Sequence, residues 1–541
     1  MNPAIFVSLL LGTTVVPLFT LPWLIRAFLK AIGDYVRDRA RTRRQLLFQR
    51  ARTEEQEDQK TRSKPTYPAA EDADWEKIDS SGTLPSSTNG ERSSADWEGV
   101  VGFFHPFCNA GGGGERVLWA AIRATQQRFP KALCVVYTGD HDVDKDAMLS
   151  NVSTRFNIHL YPPRIAFRYL STRHYVLAST WSHFTLLGQS LGSLLLAWDA
   201  FNLVVPDVFI DTMGYAFALA FSKLLFPSVP TAAYVHYPTI STDMLGSLSD
   251  TTGNKGVNAG LGSGYRGRAK RIYWELFAWL YSRAGGTIDI AMTNSSWTQS
   301  HILSLWSESR RRSHRTVPIT TVFPPVAVSD LTSTIPLSPQ TESSRSPHLL
   351  YISQFRPEKN HSLIISAFAR FVRNSRPSQD TRLILAGSVR DDTDSMLVYT
   401  LRVLAREEGV KDRVDFVINA PWSTLLSHLK SASVGVNGMW NEHFGIGVVE
   451  YQAAGLISVV NDSGGPKRDI VVDIDGGRTG YWASDEAGYA KAFETALGLG
   501  EEERVSMRQR ARKSAGRFTE AEFRRRWVEQ LEVLVSMTGG N

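Results

Sequence analysis

The stretch Ser433–Asp462, SVGVNGMWNEHFGIGVVEYQAAGLISVVND, reads as a strand, a loop, a helix and a second strand. SVGVNG (Ser433–Gly438) and LISVVND (Leu456–Asp462) are short apolar runs bounded by turn residues, the pattern of buried strands. Between them Gly445 and Gly447 open a helix that runs through Gln452, Ala453 and Ala454. Strand–helix–strand with a short connection is a βαβ unit, and such units build parallel sheets. Two carboxylates mark this one. Glu442 falls in the loop, and Glu450 falls two turns into the helix, on or near the same face. Ionised carboxylates accept from paired hydroxyls, so the spacing suits a hydroxyl-rich ligand. A solvated helix start, with Glu favourable to the dipole, is the structural alternative.

The same alternation extends upstream. HLLYIS (His348–Ser353), RLILAGS (Arg382–Ser388) and RVDFVI (Arg413–Ile418) are further apolar strands separated by helical stretches, which gives a doubly wound α/β domain over 348–500. A second such pattern precedes it. GVVGFFHPF (Gly99–Phe107) reads as a buried strand, Glu115–Phe129 as an amphipathic helix, ALCVVYTGD (Ala132–Asp140) as the next strand, and AMTNSSWT and TTVFPPV as the last strands of a domain over 99–327. The Ser/Thr/Pro-rich segment 328–347 reads as a linker, Gly246–Gly267 as a mobile surface loop, and 501–541 as a helical segment that packs across both domains. Ligands in doubly wound folds sit at the carboxyl ends of the strands, so two facing Rossmann-like domains enclose a cleft there.

The chain has 541 residues, 43% hydrophobic and 21% charged, a globular composition. Its net charge of +6 is local: Arg26–Arg50 carries eight Lys or Arg and two acids, and near balance elsewhere excludes a general nucleic-acid surface. Two cysteines, Cys108 and Cys134, exclude a disulfide framework and read as small core residues. Pro3–Ile25 has no charged residue; as a helix it reaches roughly 34 Å, enough to cross a bilayer. The cations follow this run, so the expectation is an uncleaved transmembrane anchor (1–30) with the body in the cytosol. Residues 31–98 are expected to be a basic stretch and a flexible tether, the tether over Ala51–Glu98. Tyr175–Trp198, also uncharged, is expected to form a helical hairpin resting on the membrane, because a lone span would separate the motifs that flank it.

Three further motifs join Glu442 and Glu450. Asn109–Arg116 (NAGGGGER) lies between a strand and a helix, where Gly112, Gly113 and Gly114 let backbone and helix N–H groups approach a phosphate. It is neither a Walker loop nor a dinucleotide fingerprint, because neither the Gly-Lys-Ser/Thr nor the third Gly is present. Ser353–Asn360 (SQFRPEKN) places Arg356 and Lys359 after a strand, a cation pair suited to a diphosphate. His236 ends a strand in YVHYP; a His there is more often structural.

Together the Glu442-x7-Glu450 element, the Gly111–Gly114 loop, His236 and Lys359 resemble glycosyltransferase family 4, of GT-B fold. HPFCNAGGGGERVLW, YVHYPTISTDM, QFRPEKNH and NEHFGIGVVEYQAAG are similar to the GDP-mannose-dependent α-1,2-mannosyltransferases of dolichol-linked oligosaccharide assembly, with the match spread over most of Gly99–Trp482. The resemblance implies that Glu450 binds the donor ribose, and that Glu442, with backbone at Phe444, Gly445 and Ile446, holds the donor hexose. It implies that Lys359 neutralises the diphosphate, that Gly112–Gly114 face the phosphates, and that His236 lies beside the reacting sugar. The family often has Arg where this chain has Gln354, and strand alternation permits Arg356 to replace it. The implied donor is GDP-mannose and the implied acceptor a trimannosyl core on dolichyl diphosphate, extended by two α-1,2-mannoses at the cytosolic face of the endoplasmic reticulum. No cofactor or metal is expected: the Asp-x-Asp triplets at Asp142, Asp392 and Asp473 read as solvated loops. Membrane lipid and other mannosyltransferases of the pathway are the further partners implied. A family relative using a UDP-sugar or a phosphoinositide acceptor, a non-catalytic nucleotide-sugar scaffold and a dinucleotide oxidoreductase are the alternatives.

Overall fold

The computed structural model describes residues 16–62, 96–250 and 260–539. Among them, the strands form two parallel sheets. The first contains β1 (Val100–Phe104), β2 (Leu133–Thr138), β3 (Ile165–Tyr169), β4 (Val208–Asp211), β5 (Thr231–Val235), β6 (Ile290–Thr293) and β7 (Thr320–Thr321), in the order 3-2-1-4-5-6-7. The second contains β8 (Ser346–Ile352), β9 (Leu383–Gly387), β10 (Val414–Ile418), β11 (Ala432–Asn437), β12 (Ile457–Asn461) and β13 (Gly480–Ala483), in the order 10-9-8-11-12-13. Helices cover both faces of each sheet, so alternate residues enter opposite cores: Val101 and Phe103 one, Val100 and Phe104 the other. In each sheet the winding reverses beside the first strand, between β1 and β4 and between β8 and β11. Those two switch points are where doubly wound sheets hold ligands.

The N-terminal helix α1 (Val16–Arg62) corrects the expected tether: Ala51–Arg62 is helical and docked. Val36, Ala40, Leu47 and Ala51 form a narrow buried stripe on the first domain. Glu54 reaches Lys145 at 2.6 Å, Glu55 grips Arg164 at 2.6 and 2.9 Å, and Arg44 is bidentate to Asp207 at 2.7 Å. A four-residue apolar stripe is diluted by charge in any average over the segment, and its ion pairs are long-range, so composition hides it. Residues 63–95, the rest of the expected tether, lie outside the described residues, as does the first half of the expected anchor. Among the described residues no helix is long and apolar enough to cross a membrane.

Helix α2 (Gly113–Arg128) joins β1 to β2. The expected hairpin over Tyr175–Trp198 is instead two 3-10 turns followed by a single helix, α3 (Thr185–Leu203). Its inner face gives Leu196, Ala197, Ala200 and Phe201 to the core, and Gly192 lets it press onto the Tyr175 carbonyl, where a Cβ would stand 2.1 Å away. The segment that follows α3 holds β4 and α4 (Ala216–Leu225), with Asp211 buried. The Gly246–Gly267 loop is helical only at its two ends: Thr242–Ser247 runs into it and α5 (Gly264–Gly285) begins inside it; residues 251–259 are not described. The 328–347 linker also contains helices, Val328–Thr334 and Pro339–Ser343. Ser338 caps the second and Leu331 and Ile335 anchor the first in the second-domain core.

In the second domain α6 (Ile446–Ala454) lies between β11 and β12, and α7 (Glu501–Ala515) packs on it. The last helix, α8 (Glu520–Ser536), returns to the first domain and packs on α2. Phe523, Trp527, Leu531 and Leu534 enter the same core as Phe103 and Trp119. Both cysteines are free and buried.

Candidate active site

The two switch points face each other. After β1 the chain turns through Gly111, whose φ of +82° favours glycine, and enters α2. Glu115 fastens the turn by accepting the Gly112 N–H at 2.7 Å. Its other oxygen stands 3.8 Å from His105 Nε2, and His105 Nδ1 meets Thr212 Oγ1, just past β4, at 2.7 Å. This buried chain ties the β1 and β4 ends together beneath the glycine loop. Across the cleft, Gly445 (φ +100°) caps α6. A Cβ on Gly113 would stand 2.6 Å from Ile446 Cδ1, so the N-termini of α2 and α6 meet, one from each domain. Each offers unpaired N–H groups and the positive end of a helix dipole.

Beside this meeting point is a cleft of about 880 Å³ lined by Gly111, Gly112, Gly113 and Arg116 from the first domain and Ser353, Gln354, Ile446, Gly447 and Glu450 from the second. Burial lifts the Glu450 carboxyl to about 7, against an opposing pull from Arg116. Arg116 is itself shared with Glu520 at 2.6 Å, and Arg123 grips the other oxygen of that carboxylate at 2.6 Å.

Lys359 and Glu442 come together directly. Nζ donates to Oε2 at 2.6 Å and lies 3.1 Å from Met439 Sδ; Asn437 Nδ2 is 3.5 Å from the same carboxylate. Burial alone would raise the Glu442 carboxyl, but the charges of Lys359 and His443 and the bonds from Lys359 and Asn437 outweigh it, so it lies below its ordinary value. Tyr351 Oη holds the 3-10 turn that carries Lys359 by donating to the Lys359 carbonyl at 2.6 Å. Gly464 (φ +69°) lets the neighbouring loop approach: a Cβ there would stand 2.4 Å from the Glu442 carbonyl.

His236 sits under the glycine loop, 3.7 Å from where a Gly114 Cβ would lie. Its buried Nε2 has no hydrogen-bond partner among the described residues. Burial, then the proximity of His105, lowers the imidazole to about 4, so the ring is neutral at physiological pH. The next residue, Tyr237, meets His443 across the domain boundary with its ring tilted by 38° and ring centres 4.2 Å apart. Asn441 Nδ2 donates to Asp243 at 2.7 Å, and Asp469 accepts the Ser296 N–H at 2.9 Å, so the domains are hydrogen-bonded beside the site.

One expected residue, Arg356, is placed otherwise. Arg356 is absent from the cleft lining, and its nearest carboxylate is Glu358 at 4.0 Å; Gln354 is the residue that lines the cleft. β8 ends at Ile352, so strand alternation does not reach Arg356, which caps the 3-10 turn that begins at Pro357. The Phe444 side chain faces the core, its ring 5.8 Å from Phe323 and 5.4 Å from Phe518, leaving only its backbone toward the loop. Of the Asp-x-Asp triplets, Asp144 caps a helix, Asp394 pairs with Arg390 at 2.9 Å and Asp475 with Lys513 at 2.8 Å. Among the described residues no three His, Cys, Asp or Glu side chains are grouped to hold a metal ion.

Sequence reasoning missed His105, Glu115, Thr212 and the Asp243–Asn441 bond. Glu115 had a signal: three residues after Gly112 it occupies the capping-box position. The others depend on tertiary proximity alone.

Comparison with known proteins bears on the family and the fold. Residues 98–306 match the model of the ALG11 mannosyltransferase N-terminus, and 337–514 match that of glycosyl transferases group 1. A Neurospora crassa GDP-Man:Man(3)GlcNAc(2)-PP-Dol alpha-1,2-mannosyltransferase is 56% identical over 538 residues, 97% of this chain and 96% of that protein. The human protein of the same name is 45% identical over 444 residues, 80% of this chain and 87% of its own length. Among solved structures, alpha,alpha-trehalose 6-phosphate synthase from Burkholderia multivorans superposes with a TM-score of 0.58 at 12% identity, covering 81% of this chain and 99% of that one. Anabaena HepE, in complex with UDP and glucose, gives 0.52 at 15% identity, covering 80% and 98%. The fold is therefore GT-B, and with more than half its residues identical across nearly its whole length to such a relative, the chain belongs to the GDP-Man:Man(3)GlcNAc(2)-PP-Dol alpha-1,2-mannosyltransferase family.

Proposed function

We propose that this chain is a retaining glycosyltransferase that adds α-1,2-linked mannose from GDP-mannose to a trimannosyl-chitobiose carried on dolichyl diphosphate, supplying the fourth and fifth mannoses. The observation that carries the reading is the meeting of two helix N-termini, one from each domain, beside a cleft that also holds Glu450. A nucleoside diphosphate leaves with negative charge, and preorganised N–H groups, dipoles and cations aimed at that charge are the main catalytic device. Lys359 supplies the cation and Glu442 both orients it and accepts from hexose hydroxyls. Glu450, when ionised, accepts from the ribose. Neutral His236 lies beside the reacting sugar as a hydrogen-bonding group and not a charge. Displacement on the front face, with the departing phosphate taking the acceptor proton, retains configuration and needs no enzyme nucleophile. The expected setting is the cytosolic face of the endoplasmic reticulum, with the apolar N-terminal run as anchor.

The test is transfer by purified protein from GDP-mannose, beside UDP-sugar controls, to a synthetic trimannosyl lipid diphosphate, with and without chelator. Two added hexoses releasable by an α-1,2-specific mannosidase are expected, in equal yield with chelator. Transfer only from a UDP-sugar would overturn the donor, and silence with every donor despite nucleotide binding would overturn the activity.

A further inference from the structure

Glu442 lies in a stretch without helix or strand, Gly438–Gly445, between β11 and α6. Its carboxylate has to keep the Lys359 bond and still meet hexose hydroxyls. A displacement of about 1 Å at such a group can cost about 10²-fold in rate. Much of the support for this stretch comes from the other domain. Asn441 and His443, the residues on either side of Glu442, both reach across to it. Asn441 Nδ2 donates to Asp243 Oδ2 at 2.7 Å. The His443 ring lies 4.2 Å from that of Tyr237 and 5.4 Å from that of Trp297, centre to centre.

Asp243 is itself held in place to receive that bond. It follows the loop of His236 and sits in the first turn of Thr242–Ser247, which Ser241 caps by accepting the Met244 N–H at 3.1 Å. His301 Nε2 stands 3.3 Å from the same Oδ2, and His301 Nδ1 is 2.7 Å from Thr242 Oγ1. Trp297 packs edge-on against the His301 ring, centres 4.3 Å apart. The His301 imidazole above all, then Asn441 and Trp297, holds the Asp243 carboxyl below its ordinary value against the pull of burial. It is therefore an ionised acceptor at neutral pH, the stronger kind. At the other end Asn441 is buried in the left-handed region, φ +52°, which Asn adopts more readily than most residues. Its N–H donates to Ser463 Oγ at 2.7 Å, and that hydroxyl donates to Asn461 at 2.6 Å. The Glu442 carbonyl accepts the Gly465 N–H at 2.7 Å.

The domains stay together without Asp243. On the helix Ser296–Arg312, the Ser296 N–H is held by Asp469 and the Ser300 hydroxyl accepts from Arg468 at 2.9 Å. The Asp243 bond therefore acts on the loop and not on the docking of the domains.

We infer that Asp243 is a positioning residue for the transfer: from the first domain, through Asn441, it sets the Glu442 carboxylate that the second domain offers to the donor hexose. The inference rests on the reading of Glu442 as the group that holds that hexose.

The test titrates GDP-mannose and GDP into the full chain by calorimetry, so it needs no turnover. Glu442→Ala sets the scale: it should weaken GDP-mannose about ten- to hundred-fold and leave GDP no weaker. Asp243→Ala, and Asn441→Gly, which tolerates the left-handed φ, should each weaken GDP-mannose about tenfold while GDP affinity and Tm stay near the wild type. The double variant should lose no more than either single, because both remove one interaction. Asp243→Asn keeps an oxygen for Asn441 and should retain most of the affinity. Additive losses, or an equal weakening of GDP and GDP-mannose, would overturn the proposal. If Glu442→Ala weakens GDP-mannose and Asp243→Ala does not, the reading of Glu442 stands and the proposal alone falls. If Glu442→Ala leaves GDP-mannose unchanged, that reading fails and the proposal falls with it.

Discussion

Glu450 offers the sharpest quantitative check. With its carboxyl at about 7, it is about nine-tenths ionised at pH 8 and about one-tenth at pH 6. A ligand that requires the carboxylate should therefore bind about tenfold more weakly at pH 6 than at pH 8, about 1.4 kcal/mol. GDP-mannose is the suitable probe, because its diphosphate diester does not titrate in this range. Glu450→Gln should bind it about ten- to hundred-fold more weakly at pH 8, the range of a charge-assisted hydrogen bond, and its affinity should be flat with pH. Stability should move the opposite way. A carboxyl raised in the folded state from 4.5 to about 7 stabilises fully below 4.5, and that contribution is lost as pH rises through 7. The loss is at most about 3 kcal/mol, so ligand-free Glu450→Gln should melt above the wild type at pH 8 and level with it near pH 4. Calorimetric titration at pH 6, 7 and 8 with thermal melts reads both. A wild-type affinity that is flat with pH and parallels the variant would refute the ribose assignment.

Other expectations are narrower. Lys359→Met leaves Glu442 buried without its cation, so transfer should fall about 10²–10³-fold and the acid limb of the residual kcat profile should move to higher pH; an unmoved limb would show that the pair is not coupled to turnover. Gly464→Ala should lower Tm and activity, because a positive φ and a Cβ at 2.4 Å from the Glu442 carbonyl coincide. Gly114→Ala meets His236 only at ordinary contact and should melt near the wild type; equal losses in the two would contradict the geometry. Four N-x-S sequons begin at Asn151, Asn294, Asn360 and Asn461. Asn294 and Asn461 are buried, so Asn151 and Asn360 test which side of the membrane the body occupies. No glycosidase-sensitive mass shift is expected at either, and a shift would place the body in the lumen.

Much of the architecture was legible because buried parallel strands are short, continuous apolar runs. VVGFF, LCVVYT and SVGVN declare themselves without any partner in view. The glycine loop and the Glu442–Glu450 element were legible because each falls at a strand–helix junction that the apolar runs beside it define. What failed depended on distance in the chain. Helix α1 reads as a charged tether until Glu54 and Glu55 find Lys145 and Arg164 about a hundred residues on. The linker reads as coil until Leu331 and Ile335 find a core. Arg356 was placed by extending strand alternation past the end of the strand.

The path of the last helix has a consequence for how the molecule is made. Four side chains of α8 complete the core of the first domain. On the ribosome that domain has all its strands by Thr321, yet its wall against α2 stays open until Glu520–Ser536 emerges. The first domain is therefore closed by α8, after the second domain has been synthesised. A nascent chain stalled before Glu520 would expose Trp119 and Phe103 to chaperones, and a stop codon before Glu520 would unpack the domain made first.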